Sequence, residues 1–438
     1  MYFCGTLPDD FTWGMSSFTY QIEGGCDEDG KGPSIWDNFT HIPGNVKNNE
    51  TGDIAFDSYN KLLEKDLASL RALQVSHYRF SISWPCVLPD GTTKHVNEAG
   101  LNYYERLIDA LLASNIKPQV TIYHWDLLQA LQNVGEWENE TIVQRFKEYA
   151  ELLFQRLGDK VKFWLTINEH YVIANLGYGI FARPGKAPYI VGHNLIKAHA
   201  EVWHLYNETY HPKQGGLISI TINSDWAEPR NPNKQEDIDA ARRYVQFYGG
   251  WFARPIFKNG DYNEVMKTRI WERSLAQGLS TSRLPEFTES EQQSIKGTFD
   301  FFGFNHYTTI LAYNLNHPCL EPLGTAGVAS VTDRSWLDSG SFWLKVTPFG
   351  FRKILRWIKE EYDNPPIYVT ENGISECGDL GLTDTWRIHY YKSYINEALK
   401  AYCQYYLLLF NVSYSSGQLG GGGEVVFFQA VPTAALLT

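Results

Sequence analysis

Residues Ile142–Glu169 read IVQRFKEYAELLFQRLGDKVKFWLTINE. In the first half, Ile142, Phe146, Tyr149, Leu153 and Leu157 recur at helical spacing, and the pattern stops at Gly158, a residue type that commonly ends helices. The second half, Lys162–Asn168, is a short run of mostly apolar, aromatic and branched residues. It barely alternates, as expected of a strand buried on both faces. Two polar residues, Asn168 and Glu169, stand at its end. A helix, a doubly buried strand and polar groups at the strand's C-terminal end make one unit of a parallel α/β architecture.

The same rhythm extends in both directions. Strand-like runs are predicted at Phe11–Met15, His77–Ser83, Pro118–Tyr123, Leu217–Asn223, Phe299–Asn305 and Pro366–Glu371. Helical patterns lie between them, at Tyr59–Leu73, Leu101–Ser114 (with Asn97 and Glu98 near its start), Asn194–Tyr206, Asp237–Tyr248 and Phe351–Tyr362, and Thr385–Tyr402 follows. No linker divides the chain before about Cys403, so one domain is expected. Seven such units suit a (β/α)8 barrel better than an open sheet. No Gly-rich phosphate loop follows the first strand, as a dinucleotide fold would require.

Bulk properties narrow the function. A net charge of −12 argues against a nucleic-acid partner and against adhesion to an acidic membrane surface. No apolar run reaches membrane-spanning length, and no secretory leader precedes Phe11. Cys4, Cys26, Cys86, Cys319, Cys377 and Cys403 are scattered, without metal-ligand spacing or a disulfide framework. Asn-x-Ser/Thr triplets at Asn38, Asn49, Asn139, Asn207 and Asn411 hint at a glycoprotein from a secretory parent. Aromatic residues make up 15%, which would suit a sugar site but, on composition alone, is better read as a large core.

In parallel barrels, chemistry gathers at the C-terminal ends of the strands. The polar residues there are Gln21, Arg79, His124, Asn168, Glu169, Asn223, Asn305, Tyr307, Glu371 and Asn372. Two are carboxylates, Glu169 and Glu371. Paired carboxyls are the minimal equipment for glycoside hydrolysis: one protonates the departing oxygen, the other meets positive charge at the anomeric carbon. Arg79 would keep Glu371 ionised, while Glu169 needs burial or a negative neighbour to stay protonated. Taken singly, each has a plainer reading as a salt-bridged carboxylate, a core histidine or an anchoring arginine. From pattern alone, a hydrolase site and a structural cluster remain open.

Several longer motifs go further. Phe11-Thr-Trp-Gly14, Tyr20-Gln-Ile-Glu-Gly24, Gly32-Pro-Ser-Ile-Trp-Asp37, Tyr78-Arg-Phe-Ser-Ile-Ser-Trp84, Tyr123-His-Trp-Asp126, Thr166-Ile-Asn-Glu169 and Ile367-Tyr-Val-Thr-Glu-Asn-Gly373 resemble, in order, the signatures of glycoside hydrolase family 1. The likeness runs from about Leu7 to Tyr402. It implies a (β/α)8 TIM barrel and a retaining β-glycosidase acting on β-glucosides and β-galactosides, lactose-like or aryl, through a covalent glycosyl-enzyme. Glu169 matches the acid/base and Glu371 the nucleophile. Gln21, His124, Asn168 and Asn305 match substrate-binding positions; Tyr307 and Arg79 match residues beside the nucleophile, and Trp343 an aromatic wall on the aglycone side. The family needs no cofactor and no metal. The implied partner is a small glycoside or disaccharide. The implied location is the extracellular face of an apical membrane, or secretion, if the chain derives from a longer precursor; cytoplasmic is the alternative.

Three departures qualify the likeness. His170 stands where the family has proline, which would loosen Glu169, add a titrating neighbour or be a tolerated change. The Gly177–Pro188 loop is shorter than the family's. After Tyr402 no Asn-Phe-Glu-Trp segment appears, and a glycine run covers Gly420–Gly423. Tyr405–Val412 has some strand character, but nothing after it reads as a covering helix. The expectation is therefore a barrel over 1–402 lacking its eighth strand-helix unit, with 403–438 an unrelated, poorly ordered tail. A catalytically impaired barrel acting as a sugar- or protein-binding module is the rival reading.

Overall fold

The computed structural model describes residues 5–8, 11–61, 66–180, 185–315, 325–375, 384–405, 407 and 409–415. Parallel strands form a barrel: β1 (Thr12–Ser16), β2 (His77–Ser81), β3 (Lys117–Tyr123), β4 (Phe163–Asn168), β5 (Leu217–Asn223), β6 (Phe302–Asn305), β7 (Ile367–Glu371) and β8 (Leu409–Ser415). Each pairs with its neighbours in the chain, and β8 returns to β1. The main connecting helices are α1 (Glu98–Ala113), α2 (Thr141–Leu157), α3 (Ala187–Leu205), α4 (Gln235–Phe247), α5 (Pro348–Glu361) and α6 (Thr385–Tyr405). Between β1 and β2, helical turns cover Ser58–Lys61 and Asp66–Ala72, and the intervening part of the expected Tyr59–Leu73 helix lies outside the described residues. Among the described residues, no helix is long and apolar enough to cross a membrane.

The expected loss of the eighth unit is corrected in part. β8 pairs Asn411–Ser415 with Thr12–Ser16, and Leu409, Asn411 and Val412 with β7. An unfilled seam would leave two rows of backbone donors and acceptors without partners, and any chain of extended backbone relieves both. Pairing needs no family motif, which is why the motif's absence misled. The β7 side of this seam is irregular, with a register shift between Ile367 and Tyr368. Residues 416–438, where an eighth helix or the expected glycine-rich tail would lie, are outside the described residues.

Helix faces follow the sequence periodicity. α5 buries Phe351, Ile354, Leu355 and Ile358, and α6 buries Tyr390, Tyr394, Ala398 and Ala401. Gly158 ends α2, but with helical dihedrals (φ −67°) rather than a left-handed cap. Its value is space. A Cβ there would sit 2.1 Å from Gln214 Oε1, and Gln214 Nε2 donates to the α2 carbonyl of Phe154 at 2.8 Å. Alanine normally stabilises a helical position relative to glycine. Here the added methyl must displace the Gln214 amide, the far end of a flexible side chain, so Gly158→Ala is expected to destabilise by about 0.5–1 kcal/mol through loss of its bond to Phe154. Urea unfolding would measure this, and Gln214→Ala should relieve it; a neutral or stabilising Gly158→Ala would refute the account.

Two register shifts aim the strand ends. On β4, Phe163 and Leu165 join Phe301 and Tyr368 in a small cluster separate from the main core. The ring centroids of Phe163 lie 4.4 Å from Phe301 and 4.9 Å from Tyr368. Strict alternation would next turn Ile167 to that side. However, Leu165 pairs with Ser219 and Asn168 with Thr221, so β4 has an extra residue. Ile167 thereby joins the main core and Asn168 faces inward. On β7, Val369 pairs with Phe304 and Glu371 with Asn305, again a shift. Consecutive residues Thr370 and Glu371 both reach the polar centre.

Candidate active site

The centre of the network is Arg79, 1% exposed and projecting from β2. Its Nη1 donates to Glu371 Oε1 at 2.5 Å and to the Thr370 carbonyl at 3.2 Å. Its Nη2 donates to Asn168 Oδ1 at 2.7 Å, and its Nε to Thr121 Oγ1 at 3.0 Å. A guanidinium is permanently charged and its fork is planar, so one side chain ties β2 to β3, β4 and β7. Tyr307 donates its hydroxyl to the other Glu371 oxygen at 2.6 Å. Glu371 is thus held as a carboxylate by two donors, one of them cationic.

Glu169 follows β4 in a left-handed backbone conformation (φ 51°), with its N–H on the Thr221 carbonyl at 3.1 Å. A non-glycine residue there stores strain, which commonly concentrates at functional sites. Its side chain is 2% exposed, and Oε1 accepts from Asn305 Nδ2 at 2.7 Å. Burial first, then the negative charge of Glu371, pushes its pKa well above the carboxylate range, against the Asn305 hydrogen bond and Arg79. The two carboxyls therefore differ in environment: Glu371 has a cation, while Glu169 has an amide donor and a like-charged neighbour.

Asn168 completes the set. Its Oδ1 accepts from Arg79 and from Asn305 Nδ2 (3.1 Å), so its Nδ2 faces His124 Nε2 at 3.0 Å. Nε2 must then be the acceptor, which leaves the proton on Nδ1. That buried Nδ1 has no partner among the described residues. Burial and Arg79 both drive the imidazole pKa far down, so His124 is neutral. Phe18 stacks on its ring at 4.2 Å. Trp343 meets Tyr307 edge-on at 5.9 Å.

The structure gathers Arg79, His124, Asn168, Glu169, Asn305, Tyr307 and Glu371 into one network and sets Trp343 beside it. Asn223 bonds Tyr248 (3.2 Å), and Asn372 bonds the His306 carbonyl (2.7 Å) and Tyr390 (3.0 Å), so both serve packing. His170 is buried beside Phe252, and burial keeps it neutral, which removes its expected role as a titrating neighbour. The Gly177–Pro188 loop lies partly outside the described residues. Sequence reasoning missed Thr370, which donates to Asn305 Oδ1 at 2.6 Å and so turns the Asn305 amide towards Glu169. It also missed Trp125, whose indole N–H holds the Asn168 carbonyl at 2.9 Å. Both lie inside quoted motifs, yet nothing in their residue types distinguished them from core positions.

The model of glycosyl hydrolase family 1 matches residues 4–412. Human lactase/phlorizin hydrolase is 68% identical over 406 residues, covering 91% of this chain and 21% of that protein. Human cytosolic beta-glucosidase is 44% identical over 404 residues, covering 90% and 86%. Among solved structures, aphid myrosinase superposes with a TM-score of 0.89 at 39% identity, covering 93% of this chain and 89% of that one. The chain spans about a fifth of the length of the lactase/phlorizin hydrolases it matches.

Proposed function

Because the chain belongs to glycosyl hydrolase family 1, we propose that it hydrolyses β-glucosides or β-galactosides with retention of configuration, through a covalent glycosyl-enzyme on Glu371. The observation that carries this reading is the asymmetry between the two carboxyls. Glu371 is bound by Arg79 and Tyr307 as an anion, and Glu169 is buried with its proton held. Glu371 attacks the anomeric carbon while Glu169 gives its proton to the departing oxygen. Water then attacks the glycosyl ester, Glu169 takes its proton, and the sugar leaves. His124, Asn168 and Gln21 hold the sugar hydroxyls, and Trp343 walls the aglycone side. No step needs a metal or organic cofactor, because charge is handled by the two carboxyls and Arg79.

The role change of Glu169 has a stated cause. In the free enzyme its pKa is raised by burial and by Glu371. Esterification removes the Glu371 charge, so the pKa should fall and Glu169 becomes a competent base. A group whose pKa is raised keeps its proton through neutrality and loses it as pH climbs. The rate kcat/KM is therefore expected to decline as pH rises past about 8. Carboxyl-13C NMR titration of Glu169, before and after trapping Glu371 with a 2-fluoro glycosyl fluoride, tests the mechanism. An unchanged Glu169 titration on trapping would contradict it, and failure to form any adduct on Glu371 would defeat the retaining reading.

A further inference from the structure

The segment Phe18–Glu23, which follows β1, is fixed at nearly every polar side chain except one. Thr19 Oγ1 donates to Asp126 Oδ2 at 3.0 Å, and the Thr19 N–H donates to Ser81 Oγ at 2.9 Å. Tyr20 meets Thr40 Oγ1 at 2.9 Å. Glu23 accepts from the Tyr104 hydroxyl at 3.1 and 3.2 Å. The amide of Gln21, half-buried, makes no hydrogen bond to a described residue. The other end of the Thr19 bond lies two residues beyond His124, whose Nδ1 is likewise unpartnered among the described residues. Phe18, on the same segment, stacks on the His124 ring. Thus a carboxylate–hydroxyl bond and a ring stack join the carriers of two free polar groups.

Asp126 is 2% exposed; its Oδ1 makes no hydrogen bond of normal geometry among the described residues, and burial raises its pKa to about 7 against the favourable Ser83 and Thr19 hydroxyls and the Lys31 charge. Burying a carboxyl with one satisfied oxygen costs stability. A hydrophobic pair would hold β1 to β3 without that cost, so stability alone does not account for the residue.

We propose that Thr19 and Asp126 are a positioning pair that fixes the separation of Gln21 and His124, and thereby sets how tightly the sugar hydroxyls held by those two residues are bound. The pair touches no reacting atom. The proposal rests on the glycosidase reading, since it takes Gln21 and His124 as sugar contacts. If it holds, loosening the pair weakens sugar binding and leaves the chemistry of Glu371 and Glu169 in place.

The test uses the whole chain with Thr19→Val, Asp126→Asn and Thr19→Ser. Binding of a gluco-configured iminosugar is measured by calorimetry. Turnover is measured on an aryl β-glucoside and on its mono-deoxy analogues. Thr19→Val is expected to weaken binding about three- to tenfold, the worth of one hydrogen bond. It should raise KM with kcat nearly unchanged, and Thr19→Ser should restore wild-type values. The loss should vanish on the deoxy analogue whose missing hydroxyl is the one that Gln21→Ala also ceases to sense. Equal losses on every analogue, no loss in Thr19→Val, or a failure of both Thr19→Val and Asp126→Asn to show cooperative thermal unfolding would each overturn the proposal. A wild-type chain that binds the iminosugar but neither turns over nor forms the Glu371 adduct refutes the glycosidase reading, while the pair is still judged by the binding constants. A wild-type chain that does neither refutes both.

Discussion

Turnover of an aryl β-glucoside is expected to fall on the order of 10⁴–10⁶-fold in Glu371→Gln, the size of loss seen when a covalent nucleophile is removed. The glutamine amide fills the same space and still offers its oxygen to Arg79, but it is neutral, so it removes the buried ion pair while keeping one hydrogen bond to the guanidinium. Glu371→Ala should be equally inactive but differ in two ways. First, it also removes the acceptor at position 371, which leaves the Arg79 guanidinium, 1% exposed, with only Thr121, Asn168 and the Thr370 carbonyl. Breaking a buried ion pair from one side costs about 3–5 kcal/mol in both variants, and losing the acceptor as well adds about 1–3 kcal/mol in the alanine variant alone. Thermal or urea unfolding of the two variants side by side would read this difference. Secondly, the alanine opens a space on the face that Glu371 occupied. Added azide should attack there and give a glycosyl azide of inverted configuration, detectable by NMR. Wild-type rates in either variant would remove Glu371 from the mechanism.

How much of this was legible in the sequence depends on the kind of interaction. The doubly buried strands were readable because each is a run with almost no solvent-facing residue, and β4 and β5 match their expected positions closely. The strand-end polar residues were readable because any polar group at that point breaks an apolar run. The aim of those groups was not. It depends on extra residues inserted between Leu165 and Asn168 and between Val369 and Glu371, and a bulge has no residue-type signature in either stretch. The tautomer of His124 was equally hidden, because it follows from Arg79 claiming the Asn168 carbonyl oxygen. β8 was misjudged for a different reason. A closing strand needs only extended backbone between two open edges, whereas the sequence reading asked for side-chain motifs. β8 pairs with β1 over Thr12–Ser16 and with β7 over Ile367–Val369.

Glu169→Gln should produce a loss that depends on the leaving group. A glutamine cannot donate a proton to the glycosidic oxygen. For an alkyl glycoside or a disaccharide, whose leaving group needs that proton, the rate should fall about 10²–10⁴-fold. For a dinitrophenyl glycoside the leaving group departs unaided, so Glu371 is still glycosylated at a rate close to wild type. The second step then stalls, because no base activates water. The expected record is a burst of dinitrophenol followed by a slow steady state, with the covalent adduct on Glu371 accumulating in intact-protein mass spectra. The surrounding geometry favours a clean result. Asn305 Nδ2, which donates to Glu169 Oε1, is fixed by Thr370 and can donate equally to the glutamine carbonyl, so the side chain should keep its place. Azide, an anion that needs no base, should restore the second step and yield a glycosyl azide of retained configuration, opposite to the product from Glu371→Ala. Opposite azide stereochemistry from the two variants would place one carboxyl on each side of the anomeric carbon, and the same product from both would be incompatible with the assigned roles.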